Sequence, residues 1–269
     1  MIIMKIAVAI VHGIGNQDKT YADKFINQLR QTYQKISGMD NLVFESVCWQ
    51  EEIEPIENTL YEKTTDLGWS AIRKFLIGYA GDALCYQSAP NDSYGFYDQV
   101  HEAVDRGLIR LFDKVEIDTP LCIVSHSLGT IVASNFIWDC QNKSKRCFKA
   151  SSQASDMINR LELLYTMGSP LAIWSMRFLN GGEPISIPDC SLWYNLYSKN
   201  DVISSPIKLI NQQYECMPNL FDVKVNVGGV LCNWNPASHL FYWDSLNVIR
   251  HIANNLKKVN DYWRIRCLH

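Results

Sequence analysis

The chain has 269 residues, 47% hydrophobic and 20% charged, with a formal net charge of -3. That length suits one sizeable core in a single domain spanning 1–269, and the charge offers no basic face for nucleic acid. Nine cysteines with no C-x-x-C pair predict buried free thiols rather than a zinc site or a disulfide framework.

The opening "MIIMKIAVAIVHGIG" runs from an apolar stretch into a Gly-rich turn without a cleavage signal, so it reads as a first core strand over Lys5–Val11. No apolar run approaches the roughly 18 residues of a membrane span. A soluble, cytoplasmic protein is expected. The turn "VHGIGNQ" is not a dinucleotide loop, because a third glycine is missing and Asp18 stands in its place. Gly13 and Gly15 would let its backbone amides bend inward, and His12 is expected to orient the loop.

Next, "TYADKFINQLRQTYQKI" sets Tyr21, Phe25, Leu29 and Tyr33 at helical spacing, and a second strand follows over Leu42–Cys48. From 51 to about 93 the sequence is mostly helical without a strand, longer than an ordinary connection, and reads as a helical cap insertion. Its Trp69 is a candidate substrate contact or a packing residue. The amphipathic "FYDQVHEAVDRGLIRLFDKV" then leads to a third strand, Leu121–Ser125.

At that strand's end stands "SHSLGT". Ser127 occupies the corner of a strand-to-helix turn, a relative of the G-x-S-x-G elbow that exposes a nucleophilic hydroxyl, with Ser125 in place of the first glycine. The helix "SLGTIVASNFIWDCQ" would leave the Leu128 N–H without an intrahelical partner and free to face an oxyanion. A second donor should come from the loop after an earlier strand, which makes the N–H of Gly13 or Ile14 the candidate.

Together "VHGIGNQ" and "SHSLGT" resemble the α/β-hydrolase superfamily, in particular its bacterial lipase-like and esterase-like serine hydrolases. The resemblance implies a mostly parallel, doubly wound sheet of about six strands flanked by helices, lacking the superfamily's first strands. It also implies an acid after a late strand and a histidine after the last, in the order Ser, Asp, His. Further strands are expected at Leu161–Met167, Trp193–Tyr197 and Val223–Val227.

After the first of these, "GSPLAIW" carries Trp174, a candidate for an apolar acyl pocket or for the core. "SLWYNLYSKNDVISSP" ends a strand at Asp201, the expected acid. Asp222 is read as preceding a strand and Asp244 as lying inside the terminal helix. Among six histidines, His101 and His251 fall within helices, and His126 is expected to point away from the serine. His239, after the last strand and at the start of the helix "HLFYWDSLNVIRHIANNLKK", is the expected base.

The resemblance thus implies a carboxylic-ester hydrolase acting on a small-molecule acyl ester or lipid through an acyl-enzyme, without metal or organic cofactor. The same triad could serve thioesters, amides or acyl transfer, and a non-catalytic binding protein on this fold is the contrasting alternative.

Overall fold

The computed structural model describes residues 4–13, 20–49, 86, 95–142, 148–228 and 236–266. Ile14, Trp69 and, Tyr86 excepted, the expected cap at 51–93 lie outside them.

Six strands form one sheet: β1 (Ile6–Val11), β2 (Leu42–Val47), β3 (Leu121–His126), β4 (Leu161–Met167), β5 (Leu192–Tyr197) and β6 (Leu220–Lys224). Their order is β2-β1-β3-β4-β5-β6, and every neighbouring pair is parallel. The described helices are α1 (Asp23–Ser37), α2 (Phe96–Phe112), α3 (Leu128–Asn142), α4 (Ser152–Asn159), α5 (Leu171–Ser175), α6 (Gln212–Glu215) and α7 (Leu246–Arg266).

A parallel sheet covered on both faces needs strands that are apolar throughout, and β1, β3 and β4 are buried at every residue. Alternation divides β1 between two cores: Ala7, Ala9 and Val11 join residues of α2, α3 and α4, whereas Ile6, Val8 and Ile10 join α1 and α7. The helix α1 buries Phe25, Leu29 and Tyr33, one residue per turn, and stops at Gly38, whose φ of 71° is left-handed.

Three expectations need correction. The last strand lies three residues earlier than Val223–Val227, because β5 ends at Tyr197, which pairs with Lys224 and leaves no ladder beyond. Val225 and Val227 are nonetheless buried, so the alternation that suggested a strand reports core-facing residues that follow it. The terminal helix begins at Leu246, not His239; a short 3-10 segment, Pro236–Phe241, and a turn come first. Finally, not all free cysteines are buried: Cys122 is, but Cys190 and Cys216 are exposed.

The chain passes from β1 to β2 on one side and returns to β3 on the other. Strand order therefore reverses at β1, and in open parallel sheets that reversal opens a crevice at the carboxyl ends, here those of β1 and β3.

Candidate active site

A single residue separates β3, ending at His126, from α3, starting at Leu128. That residue is Ser127, and its φ is 54°, a left-handed conformation that costs a non-glycine residue of order 1 kcal/mol. The surroundings hold it there: Ser127 N–H donates to Met167 O at 2.9 Å, and Ser127 O accepts from Thr130 N at 3.0 Å and Thr130 Oγ1 at 2.7 Å. Thr130 Oγ1 also meets Ser169 Oγ at 2.7 Å, tying the elbow to the segment after β4.

The two small residues of the motif serve different ends. A Cβ at Gly129 would lie 2.0 Å from His12 O, so this glycine lets α3 cross close over the end of β1. Ser125 needs no such freedom, since Ser127 and Asn180 are the non-glycine residues with positive φ among those described. Its buried hydroxyl donates to Tyr165 O at 2.7 Å, fixing β3 to β4.

Three segments bring their polar side chains together at this corner. His239 Nε2 lies 2.8 Å from Ser127 Oγ, and His239 Nδ1 lies 2.9 Å from Asp201 Oδ2. All three residues are buried. Asp201 follows β5 in a turn whose own amides grip the carboxylate: Ile203 N–H donates to Oδ1 at 3.0 Å and Ser204 N–H at 3.4 Å. Burial by itself would raise the Asp201 pKa, but hydrogen bonding and charge from His239, with the Ile203 amide and Ser204, outweigh it and hold the group at about 2.

Tyr242 was not singled out by sequence. Its buried hydroxyl donates to Asp201 Oδ2 at 3.0 Å and accepts from Ser198 N–H at 2.9 Å, so it braces the carboxylate from the His239 side. The signal available was its spacing, three residues after His239, which places both on one side of a helical turn.

His126 does not point away, as expected, but meets the histidine segment. Its Nε2 lies 2.9 Å from His239 O, and the two rings are 4.9 Å apart. Strand alternation explains this: His126 shares a face with Cys122 and Val124, the α1 and α7 face, from which the 236–241 segment arrives. Burial, and then the neighbouring His239, push its pKa down to about 3.

Beside the elbow, His12 stacks on Trp49 at 5.0 Å, and Trp49 Nε1–H donates to His12 O at 3.0 Å. His12 Nδ1 lies 2.6 Å from Gly13 O, an acceptor, and Nε2 receives the Trp49 N–H at 3.4 Å, which together assign a neutral ring protonated on Nδ1. Burial lowers its pKa to about 4, in keeping with that form. Gly13 abuts the serine; a Cβ there would sit 2.6 Å from Ser127 Cβ.

The remaining candidates separate clearly. Asp222 lies within β6, not before it, and accepts from Asn195 Nδ2 and from the amides of Ile207 and Lys208. Asp244 precedes α7 and pairs with Lys24 on the surface. Trp174 is buried in the larger core 6.1 Å from Tyr86, with Arg177 over its ring.

No family model matches the chain, and no curated protein does. Solved structures do. An esterase from the fungus Rhizomucor miehei superposes with a TM-score of 0.50 at 10% identity, over 97% of this chain and 76% of that one. An esterase from the archaeon Pyrobaculum calidifontis gives 0.45 at 9%, over 96% and 76%. A chain assigned to the α/β superfamily of hydrolases, from Xanthomonas campestris, gives 0.41 at 10%, over 93% and 99%. The six-stranded parallel sheet with helices on both faces is the α/β-hydrolase fold.

Proposed function

We propose that the protein is a serine hydrolase of carboxylic esters. The observation that carries this reading is the hydroxyl of Ser127, held on a left-handed turn with its Oγ 2.8 Å from His239 Nε2 while Asp201 holds Nδ1. A serine placed only for structure has no need of that strained backbone, and an imidazole bonded to both a hydroxyl and a carboxylate is arranged as a general base.

In this reading Ser127 Oγ attacks the ester carbonyl carbon as its proton passes to His239 Nε2. Asp201 keeps the Nδ1 proton in place and stabilises the imidazolium. The carbonyl oxygen becomes an oxyanion facing the N–H of Leu128, an amide in the first turn of α3, and the N–H of Gly13 or Ile14. Collapse breaks the bond to the alcohol, which leaves with the proton from Nε2. A water then gives a proton to Nε2 and attacks the acyl-enzyme, releasing the carboxylic acid and restoring Ser127. Cofactors have no part in these steps.

Hydrolysis of p-nitrophenyl acetate tests the proposal. Ser127→Ala should lower kcat by about 10⁴-fold or more, with an unchanged melting temperature. An equally active Ser127→Ala protein would refute it.

A further inference from the structure

The segments that follow β4 and β5 face each other across a groove of about 510 Å³, in the size range of small-molecule sites. Ala172, Ser175 and Met176 line it from the β4 side, and Pro206, Leu209 and Ile210 from the β5 side. Both walls start at the candidate active site. Gly168, where a Cβ would lie 3.2 Å from His239 Cε1, is four residues before Ala172, so their Cα atoms are no more than about 14 Å apart. On the other wall, Pro206 is five residues after Asp201.

Two of the polar side chains along this groove, Ser175 and Asn211, are engaged in its own construction. Ser175 Oγ donates to Ala172 O at 2.7 Å. Asn211 Nδ2 donates to Asn180 O and Gly182 O, both at 2.8 Å, while its Oδ1 accepts from the amides of Gln213 and Tyr214. The turn so held is tight, since a Cβ on Gly181 would meet Ile210 Cγ2 at 2.7 Å. What remains to touch a ligand is mostly hydrocarbon. Of the lining residues, Met176 and Leu209 are each 79% exposed. Large apolar side chains grouped this way mark a site for an apolar ligand.

We propose that this groove binds the acyl chain of the substrate, an unbranched hydrocarbon tail, with its carboxyl end at Ser127. The inference rests on the serine-hydrolase reading and assigns it a substrate class: esters of medium-chain or long-chain fatty acids. Burying each further methylene should then raise kcat/KM about fourfold, from p-nitrophenyl acetate through butanoate to octanoate, until the groove is filled.

Leu209→Glu and Met176→Glu place a charge on the walls at exposed positions, where folding tolerates it. Each should lower the octanoate-to-acetate ratio of kcat/KM by about tenfold. Independently of turnover, sodium dodecanoate should bind the Ser127→Ala protein saturably in calorimetry, and Ser127→Ala/Leu209→Glu should lose that binding. Unchanged ratios in both charge variants, or equal dodecanoate binding with and without Leu209→Glu, would overturn the assignment. Should Ser127→Ala retain ester hydrolysis, the hydrolase reading falls, while the dodecanoate comparison still decides whether the groove takes an acyl chain.

Discussion

Among the described residues two buried histidine–aspartate pairs occur, and they are alike up to a point. His239 Nδ1 lies 2.9 Å from Asp201 Oδ2, and His101 Nδ1 lies 3.0 Å from Asp139 Oδ2. In each, a tyrosine hydroxyl donates to that same carboxylate oxygen, Tyr242 at 3.0 Å and Tyr97 at 2.9 Å. They part at the other ring nitrogen. His239 Nε2 meets the hydroxyl of Ser127 on a strained turn, at the carboxyl ends of the strands. His101 Nε2 meets the phenol of Tyr86, 2.7 Å away, and that ring stacks on Tyr97 within the larger core. A carboxylate at Nδ1 can hold an imidazole in one tautomer, as Asp201 does for His239. What it then does depends on the third partner and on whether that partner stands at the sheet's carboxyl edge or between helices.

Changing both aspartates in the same way should break the likeness most sharply. Asp201→Asn is expected to lower kcat by about 10⁴-fold in protein that is still folded. Asp139→Asn should cost about 2 kcal/mol of stability, read from urea unfolding, with kcat of the folded protein unchanged. Similar losses of kcat in the two variants would remove the distinction between the pairs.

The elbow offers the next contrast. Gly129→Ala forces a Cβ to within 2.0 Å of His12 O and should cost about 3 kcal/mol, because backbone on both sides must shift. Ser125→Gly removes a CH2OH group whose hydroxyl bonds Tyr165 O and loosens the strand backbone, so it should cost about 2 kcal/mol and keep ester hydrolysis. Loss of activity in Ser125→Gly would show that this hydroxyl shapes the turn.

Acid should expose the two histidines that crowd the site. Burial holds His12 and His126 neutral, with pKa values of about 4 and about 3 against an ordinary 6.5. Below pH 6.5 the unfolded chain takes up protons that the folded chain refuses, so stability falls with pH, by about 1.4 kcal/mol per unit for each histidine, down to those values. Asp201, at about 2 against 3.8, contributes stability fully present above pH 3.8 and lost as pH falls towards 2. Urea midpoints from pH 7 to 5 should therefore decline, and His126→Gln should make the decline shallower by about 2 kcal/mol. A flat profile would contradict the neutral assignment.

The last contrast concerns the tyrosines. Tyr242→Phe removes one hydrogen bond to Asp201 and should lower kcat/KM about tenfold. Tyr97→Phe should leave kcat/KM unaltered, since its partner serves the core.

Where the sequence carried strict periodicity, it located the fold closely. The expected β4 over Leu161–Met167 coincides with the observed strand, and Phe25, Leu29 and Tyr33 are the buried face of α1. The expectation for β6 slipped by three residues because β6 is an edge strand of mixed burial, and the apolar alternation of "VKVNV" continues past its last pairing. His126 was misplaced for a related reason: chain order shows which residue follows the strand but not which layer the distant 236–241 segment joins. Tyr242 escaped notice because a tyrosine in "HLFYW" has the composition of packing, and only the fold shows its hydroxyl reaching a carboxylate 41 residues away. Ser127, Asp201 and His239 could be read from order and edge position. Their distances could not, since those depend on close approaches such as that of Gly129 to His12.

Reaction with a fluorophosphonate probe, followed by mass spectrometry of the digested protein, tests the central claim most directly. The account predicts one adduct, on Ser127, that disappears in Ser127→Ala, is strongly slowed in His239→Ala and persists in His101→Ala at a temperature where that variant is folded. An adduct on another residue, or labelling of Ser127→Ala equal to that of the unaltered protein, would contradict it.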